Sequence, residues 1–359
     1  MAGNGNESLK EETGVVLGFL EEAETWELQS SQFPSKVGGK PAWLSQTDLP
    51  CSLGCEKCHH PMAFLLQVYA PIVGQDRSFH RTLFVFCCKT PECYSPNDNR
   101  CFKVYRSQLP RKNDFYSYDP PSEEEPGVND SDPDVLQSGL KLCRVCGCPG
   151  SKSCSRCHAA NYCSKDHQII DWKSGHKNEC GTNATPCSAD FQKHEYLFPE
   201  FELLTEPEKV QGKETPSESD DTQKTLESIT EDGFAFEDRE LEEMAMHETE
   251  DSRVFQKFKQ KTELEPHQVL RYCRTGSALW VSAQHIPKDK DIPACPCGAK
   301  RIFEFQVMPQ LLNHLKVDGP HASIDWGTLA VYTCEDSCGQ GYRYSSEFIW
   351  KQDFTGELP

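Results

Sequence analysis

The 359-residue chain lacks any apolar run long enough to cross a bilayer. Its longest mostly apolar stretch, Met62–Val73, falls short of the ~18–20 residues a spanning helix needs, and it contains Gln67. Positive charge is scarce as well: 37 Lys and Arg stand against 56 Asp and Glu, a net charge of −19. Free-standing nucleic-acid binding needs clustered cations to displace counterions from phosphates, so the expected partner is instead basic. Apolar residues make up only 36%. That is below the roughly 45–50% of a globular chain (a figure that also counts Gly), so part of the chain is expected to be disordered. The apolar patch Val15–Leu20 is flanked by acids and preceded by no basic segment, so no signal peptide is expected there. In a chain made in the cytosol the thiols stay reduced, and 20 Cys then read as metal ligands before disulfides.

Length predicts two or three folded units, and composition divides the chain into five parts. Residues 1–118 are mixed and aromatic-rich. Residues 119–140 hold Pro120-Pro121, Glu123–Glu125 and Asp130–Asp134, an acidic linker. Residues 141–182 are dense in Cys and His. Residues 183–251 read as an acidic, largely disordered segment, because Glu202–Asp251 carries 18 acids against Lys209, Lys213, Lys224 and Arg239. Residues 252–359 again read as globular, with helical spacing at Val254, Phe255 and Phe258 that Pro266 interrupts.

The two outer regions resemble each other. Gly39-x3-Trp43 precedes Cys55-x2-Cys58 and Phe64-Leu65-Leu66-Gln67-Val68; Gly276-x3-Trp280 precedes Cys295-x-Cys297 and Phe303-Glu304-Phe305-Gln306-Val307. Each Gln lies nine residues after the second Cys. Thr82 and Thr328 then each stand six residues before Cys88 and Cys334, and Cys93 and Cys338 follow. Such ordered coincidences predict a duplicated β unit interrupted by an insertion, with the Phe/Val-rich runs as strands. The expected fold is therefore β-rich α+β: two duplicated zinc-stapled β units packed together, carrying the central Cys/His module and the acidic segment.

In that module Cys143, Cys146, Cys154, Cys157, Cys163, His167, His176 and Cys180 supply eight ligands, enough for two tetrahedral sites. Cys-x2-Cys pairs form knuckles, and Cys-x3-His and His-x3-Cys place both side chains one helical turn apart. Thiolate and imidazole together favour Zn²⁺. Spacing alone allows either sequential or interleaved pairing. The segment Asn161-Tyr162-Cys163-Ser164-x2-His167-Gln168-x3-Trp172-x3-His176-Lys177-x2-Cys180 resembles the MYND zinc finger. The resemblance implies the interleaved arrangement: Cys143/Cys146 with Cys163/His167, and Cys154/Cys157 with His176/Cys180. His167 departs from the Cys that many such fingers carry, which changes the charge of the site and keeps the ligand. The resemblance also implies binding of Pro-containing peptides near Gln168 and Trp172, although Trp172 reads first as packing against the metal-bound core.

The repeat predicts two further four-thiolate sites, Cys55, Cys58, Cys88 and Cys93 in the first region and Cys295, Cys297, Cys334 and Cys338 in the second. Cys87 could replace Cys88, and Cys51 could enter the first site. With four Zn²⁺ bound, the two outer sites carry −2 each and the finger sites −1 each, which adds to the preference for a cationic partner. Every site is closed by four protein ligands, so zinc is expected to be structural.

No catalytic constellation emerges. His-Glu-x-x-His and Gly-x-Ser-x-Gly are absent, Gly147–Ser153 has the wrong spacing for a phosphate loop, and Val37-Gly38-Gly39-Lys40 reads as a turn. The acidic pairs fall where positioned acid–base chemistry is implausible. Phe33–Gly39, Leu109–Tyr118, Cys295–Ala299 and Phe305–Leu312 resemble the programmed cell death protein 2 family. That resemblance implies a non-enzymatic chaperone of ribosome biogenesis, capturing a newly made basic small-subunit ribosomal protein. It also implies links to proliferation and apoptosis, and presence in cytoplasm and nucleus. The joined outer regions would form the client-binding body, by β-augmentation, with 202–251 as a charge screen. Two alternatives stand beside it: a nuclear adaptor whose finger recruits corepressors, and a DNA-binding regulator, against which the net charge argues.

Overall fold

A computed structural model describes residues 14–51, 53–125, 135–136, 138–181, 195–209, 249–317, 323–339 and 341–354. The β-branched and aromatic runs form strands as their composition dictates. Those before the finger are β1 (Val16–Glu21), β2 (Lys36–Val37), β3 (Ala63–Tyr69), β4 (His80–Cys87) and β5 (Phe102–Leu109). The finger holds the short β6 (Lys152–Ser153) and β7 (Asn161–Tyr162). After it come β8 (Phe201–Pro207), β9 (Leu270–Tyr272), β10 (Arg301–Val307), β11 (Thr328–Cys334) and β12 (Ser345–Gln352). The helix Glu250–Leu264 starts at Thr249, whose hydroxyl accepts the Ser252 N–H. It buries Phe258 against Val281 and Met308. Among the described residues no helix is long and apolar enough to cross a membrane.

The expectation of two packed units is corrected by the sheet. Ten strands form one closed barrel in the order β1-β8-β2-β3-β4-β5-β12-β11-β10-β9, and β1 also pairs with β9. The halves join directly where Arg106, Tyr105 and Val104 of β5 face Ser345, Ser346 and Glu347 of β12. An isolated three-stranded sheet would leave backbone donors and acceptors unpaired along its edges, and closure satisfies them. The expectation of a largely disordered 183–251 is corrected as well: β8 lies inside that range and pairs with both β1 and β2. Composition could not announce it, because Leu203 is its one buried side chain and its hold comes from backbone partners. For the same reason residues 202–207 are not part of a free charge screen. Residues 126–134, 182–194 and 210–248 lie outside the described residues, and with them part of the expected linker and most of the expected acidic segment.

Corresponding details recur in the two halves. The β3–β4 ladder slips between Phe64 and Leu66, and the β10–β11 ladder between Phe303 and Phe305. Three residues past Phe64, Gln67 accepts the Ala42 N–H; three past Phe303, Gln306 accepts the Leu279 N–H. Ala42 and Leu279 directly precede Trp43 and Trp280. The finger joins the same apolar core: Trp43 is buried against Phe84 and Phe86, and its indole N–H donates to the Gly147 carbonyl at 2.7 Å.

Candidate metal centres

Four groups of side chains converge: Cys55, Cys58, Cys88 and Cys93; Cys143, Cys146, Cys163 and His167; Cys154, Cys157, His176 and Cys180; Cys295, Cys297, Cys334 and Cys338. Within each group the ligand atoms lie within 4.8 Å of one another. The finger is therefore interleaved, not sequential. Tight turns aim the first pair of each outer site. In the first knuckle His59 N–H donates to the Cys55 carbonyl and Lys57 N–H points at its sulfur. In the second, Gly298 adopts φ +95°, a left-handed turn that a side chain would strain.

The donor sets fit zinc. Zn–S bonds of about 2.3 Å in a tetrahedron put neighbouring sulfurs about 3.8 Å apart, whereas a disulfide needs about 2.05 Å. Observed separations are 3.5 Å for Cys58–Cys88, 3.7 Å for Cys146–Cys163 and Cys154–Cys180, 3.4 Å for Cys295–Cys338 and 3.6 Å for Cys297–Cys334. Every described Cys is free, and Cys187 lies outside the described residues. The thiols have unequal acidities. Burial pushes Cys88 up to about 11, while at Cys58 burial is outweighed by the His60 N–H and the Thr90 hydroxyl, which bring it to about 6. A divalent ion would draw all four into the thiolate form.

The two histidines use different nitrogens. His167 turns Nδ1 to Cys163 and Cys143 at 3.2 and 3.5 Å. Its Nε2 is buried without a hydrogen bond, and the ring meets Tyr196 edge-on at 4.3 Å. A proton on Nε2 leaves Nδ1 free as a ligand. His176 instead points Nε2 at Cys157, 3.5 Å away. Trp172 packs edge-on against His176 at 5.8 Å, as expected for a core contact, while Gln168 is half-buried on the short helix Lys165–Asp171 that Trp172 caps.

Cys88 joins the quartet and Cys87 does not, because β4 ends between them. Cys87 is the last strand residue, paired with Ala63 and Phe102, and is wholly buried. Cys88 turns towards Cys58, and Thr90 N–H donates to its sulfur at 3.4 Å. Cys51 is exposed and sits apart. Native mass spectrometry of Cys88→Ser should show one zinc fewer than wild type, and Cys87→Ser and Cys51→Ser no change. Loss in Cys87→Ser and retention in Cys88→Ser would reverse the assignment.

Sequence reasoning missed the charged residues that join the halves. Arg81 of β4 forms a bidentate pair with Glu304 of β10, both fully buried, and Glu304 also accepts from Thr333 and Tyr272. Arg106 of β5 donates to Glu347 of β12 at 2.8 Å, again fully buried, and Arg301 reaches Glu347 at 3.0 Å. The cluster grips the loop carrying the last two thiols. Glu347 accepts the Cys334 N–H, Arg81 donates to Ser337 Oγ, Gln108 donates to the Ser337 carbonyl, and Arg274 to the Glu335 carbonyl. Arg81, Arg106, Arg274 and Arg301 surround two carboxylates, leaving a surplus of two positive charges. A divalent ion on four thiolates carries −2, so the site and its shell would balance. The available signal was Glu304 itself, an acid inside Phe303-Glu304-Phe305 where the first repeat has Leu65.

Comparison with known proteins agrees with this arrangement. The N-terminal domain of programmed cell death protein 2 matches residues 14–123, its C-terminal domain 252–353, and the MYND finger 143–180. Programmed cell death protein 2 of Bos taurus is 53% identical over 347 residues, covering 94% of this chain and 96% of that one. The protein of that name from Rattus norvegicus is 52% identical, covering 95% and 97%. A Schizosaccharomyces pombe protein named probable 20S rRNA accumulation protein 4 is 25% identical over 384 residues, covering 91% and 93%. No solved structure matches. With two matching halves flanking a MYND finger, the chain belongs to the programmed cell death protein 2 family.

Proposed function

We propose that the chain is a non-enzymatic, zinc-dependent chaperone that captures a newly made basic small-subunit ribosomal protein, working in cytoplasm and nucleus. Four structural Zn²⁺ ions hold it, one per quartet, and the matching ladder slips, glutamines and quartets support descent of the two halves from one duplicated β unit. Links to proliferation and apoptosis belong to the same reading. The observation that carries it is electrostatic: an acidic chain of net −19 whose folded barrel itself displays acids, with Glu21 opposite Glu202 and Glu27 close by. Such a surface attracts a cationic client before it meets RNA. The fission yeast relative named for 20S rRNA accumulation lends the ribosomal direction. Affinity purification during translation should enrich ribosomes synthesising one or a few small-subunit ribosomal proteins. A flat profile across those messages would sink the reading.

The finger supports a second reading, an adaptor for Pro-containing peptides or corepressors at Gln168 and Trp172, because Ile169 beside them is 41% exposed. Deleting 141–182 is a poor test, since the finger shares the barrel's core. Ile169→Ser leaves that core intact. Loss of peptide-induced change in Trp172 fluorescence, with client capture retained, is the expected outcome if the finger is an accessory; loss of capture would give it the client. A DNA-binding role has little support. Lys300 lies 3.6 Å from Glu335, Arg301 is committed to Glu347, and the Arg111 guanidinium lies 4.0 Å from the Tyr118 ring centroid.

A further inference from the structure

A closed sheet has no edge to offer an incoming strand, so β-augmentation requires one of its own strands to yield. Nine of the ten barrel strands come from the two matching halves and their leading segments. The tenth, β8, arrives from the insert after the finger. The geometry points to β8 as a placeholder: residues 201–207 fill, in cis, the slot that an extended apolar-and-basic segment of the client occupies in the complex. This rests on the chaperone reading above and names the surface and the chemistry it takes.

Several features make β8 replaceable where a central strand such as β4 is not. It buries one side chain, Leu203, whereas all eight residues of β4 are buried. On one flank it pairs with β2 at only two positions, Lys36 opposite Glu202 and Val37 opposite Phe201. On the other flank it runs against β1 with Glu202 directly opposite Glu21, a like-charge pair that destabilises an antiparallel ladder. Burial, with Glu27 and Glu21 near, raises the Glu202 carboxyl above its ordinary range. A lysine or arginine at that position would turn the Glu21 contact from repulsion into attraction, while Lys36 on the other flank is already paired with Glu200, and an aliphatic residue next to it would take Leu203's place beside Leu20.

The grip on the segment lies outside the strand. Ahead of it, Tyr196 donates to the Pro61 carbonyl at 2.8 Å, Phe198 is buried, and Lys36 pairs with Glu200. Gly38 and Gly39, at φ +66° and +65°, allow the close approach: a Cβ on Gly38 would sit 1.9 Å from the Pro199 carbonyl oxygen. Behind it, Glu208 pairs with Arg271 at 2.6 Å. The anchors ahead of the strand can hold residues 195–200 while 201–207 leave, provided the Glu208–Arg271 pair opens, because an extended segment tied at both ends has no slack; β1 keeps its pairing with β9. The barrel then presents β1 as an apolar edge that ends on Glu21, with Glu27 near.

The test pins β8 in place. Leu20 and Leu203 face each other, so Leu20→Cys with Leu203→Cys can form a cross-strand disulfide; Val16→Cys with Pro207→Cys is a second pair four residues along the same ladder. The full-length protein is titrated with a panel of individually purified small-subunit ribosomal proteins. Oxidised variants should bind the captured member at least tenfold more weakly than wild type, with full recovery under a non-chelating reductant. Oxidised protein binding within twofold of wild type would overturn strand exchange while leaving the chaperone reading intact; no binding of any member to wild type would overturn both. Hydrogen exchange on the wild-type complex needs no variant. It should show residues 201–207 exchanging at least tenfold faster than in the free protein, with β4 unchanged, and unchanged or slower exchange there overturns the proposal.

Discussion

Removal of metal with a strong chelator is expected to unfold the chain outright and not merely to lower its melting temperature. A structural zinc site can contribute of the order of 10 kcal/mol to folding, whereas a whole domain is stable by about 5–15 kcal/mol, so losing even one site can exhaust the margin. The reason is local to this molecule. Cys55, Cys88, Cys93, Cys143, Cys146, Cys154 and Cys180 are themselves part of the main buried cluster, so releasing their ion leaves unpaired thiols where the core should be. Circular dichroism and intact native mass would follow the two events together. A melting curve unchanged after confirmed metal loss would refute a structural role.

Breaking the Arg81–Glu304 pair from one side should be nearly as damaging. Arg81→Met leaves the Glu304 carboxylate at zero exposure with Thr333, Tyr272 and an Arg274 nitrogen 3.9 Å away, and losing the bidentate partner of a buried charge costs about 3–5 kcal/mol. Glu304→Leu strands the guanidinium in the same way. The double variant Arg81→Met/Glu304→Leu should recover most of the loss, because two apolar side chains of similar volume need no partners. Denaturant unfolding of the four proteins forms a double-mutant cycle. Additive losses in that cycle would show that the two residues act independently and that the pair does not join the halves.

Glu347 and Arg106 repeat the motif one strand pair away, which ties the C-terminal metal site to the N-terminal half. The segment Cys334–Cys338 is thus hydrogen-bonded to β4 and β5 through Ser337, Arg81 and Gln108. The apolar core alone would not fix the relative register of two similar halves, since similar strands present similar faces. Opposite charges at unique positions can, and Glu304 stands where the first half has Leu65.

Much of the metal chemistry was legible from the chain because it is short-range. A Cys-x2-Cys knuckle or a Cys-x3-His turn brings two ligands together within a few residues, so spacing alone identifies them. The strands flanking Gln67 and Gln306 were legible for the same reason, each being a continuous β-branched and aromatic run. What spacing left open, the fold decided: the interleaving of the finger, and Cys88 over Cys87, which depends on where β4 stops. Barrel closure, β8 and the buried arginines were illegible because their partners lie far away in sequence. Glu304 meets Arg81 across 223 residues, and β8 is a strand only because β1 and β2 supply its hydrogen bonds. Local composition determined which residues can ligate and which can form strands; pairing between distant segments determined which edges close, and a backbone edge has no sequence signature of its own.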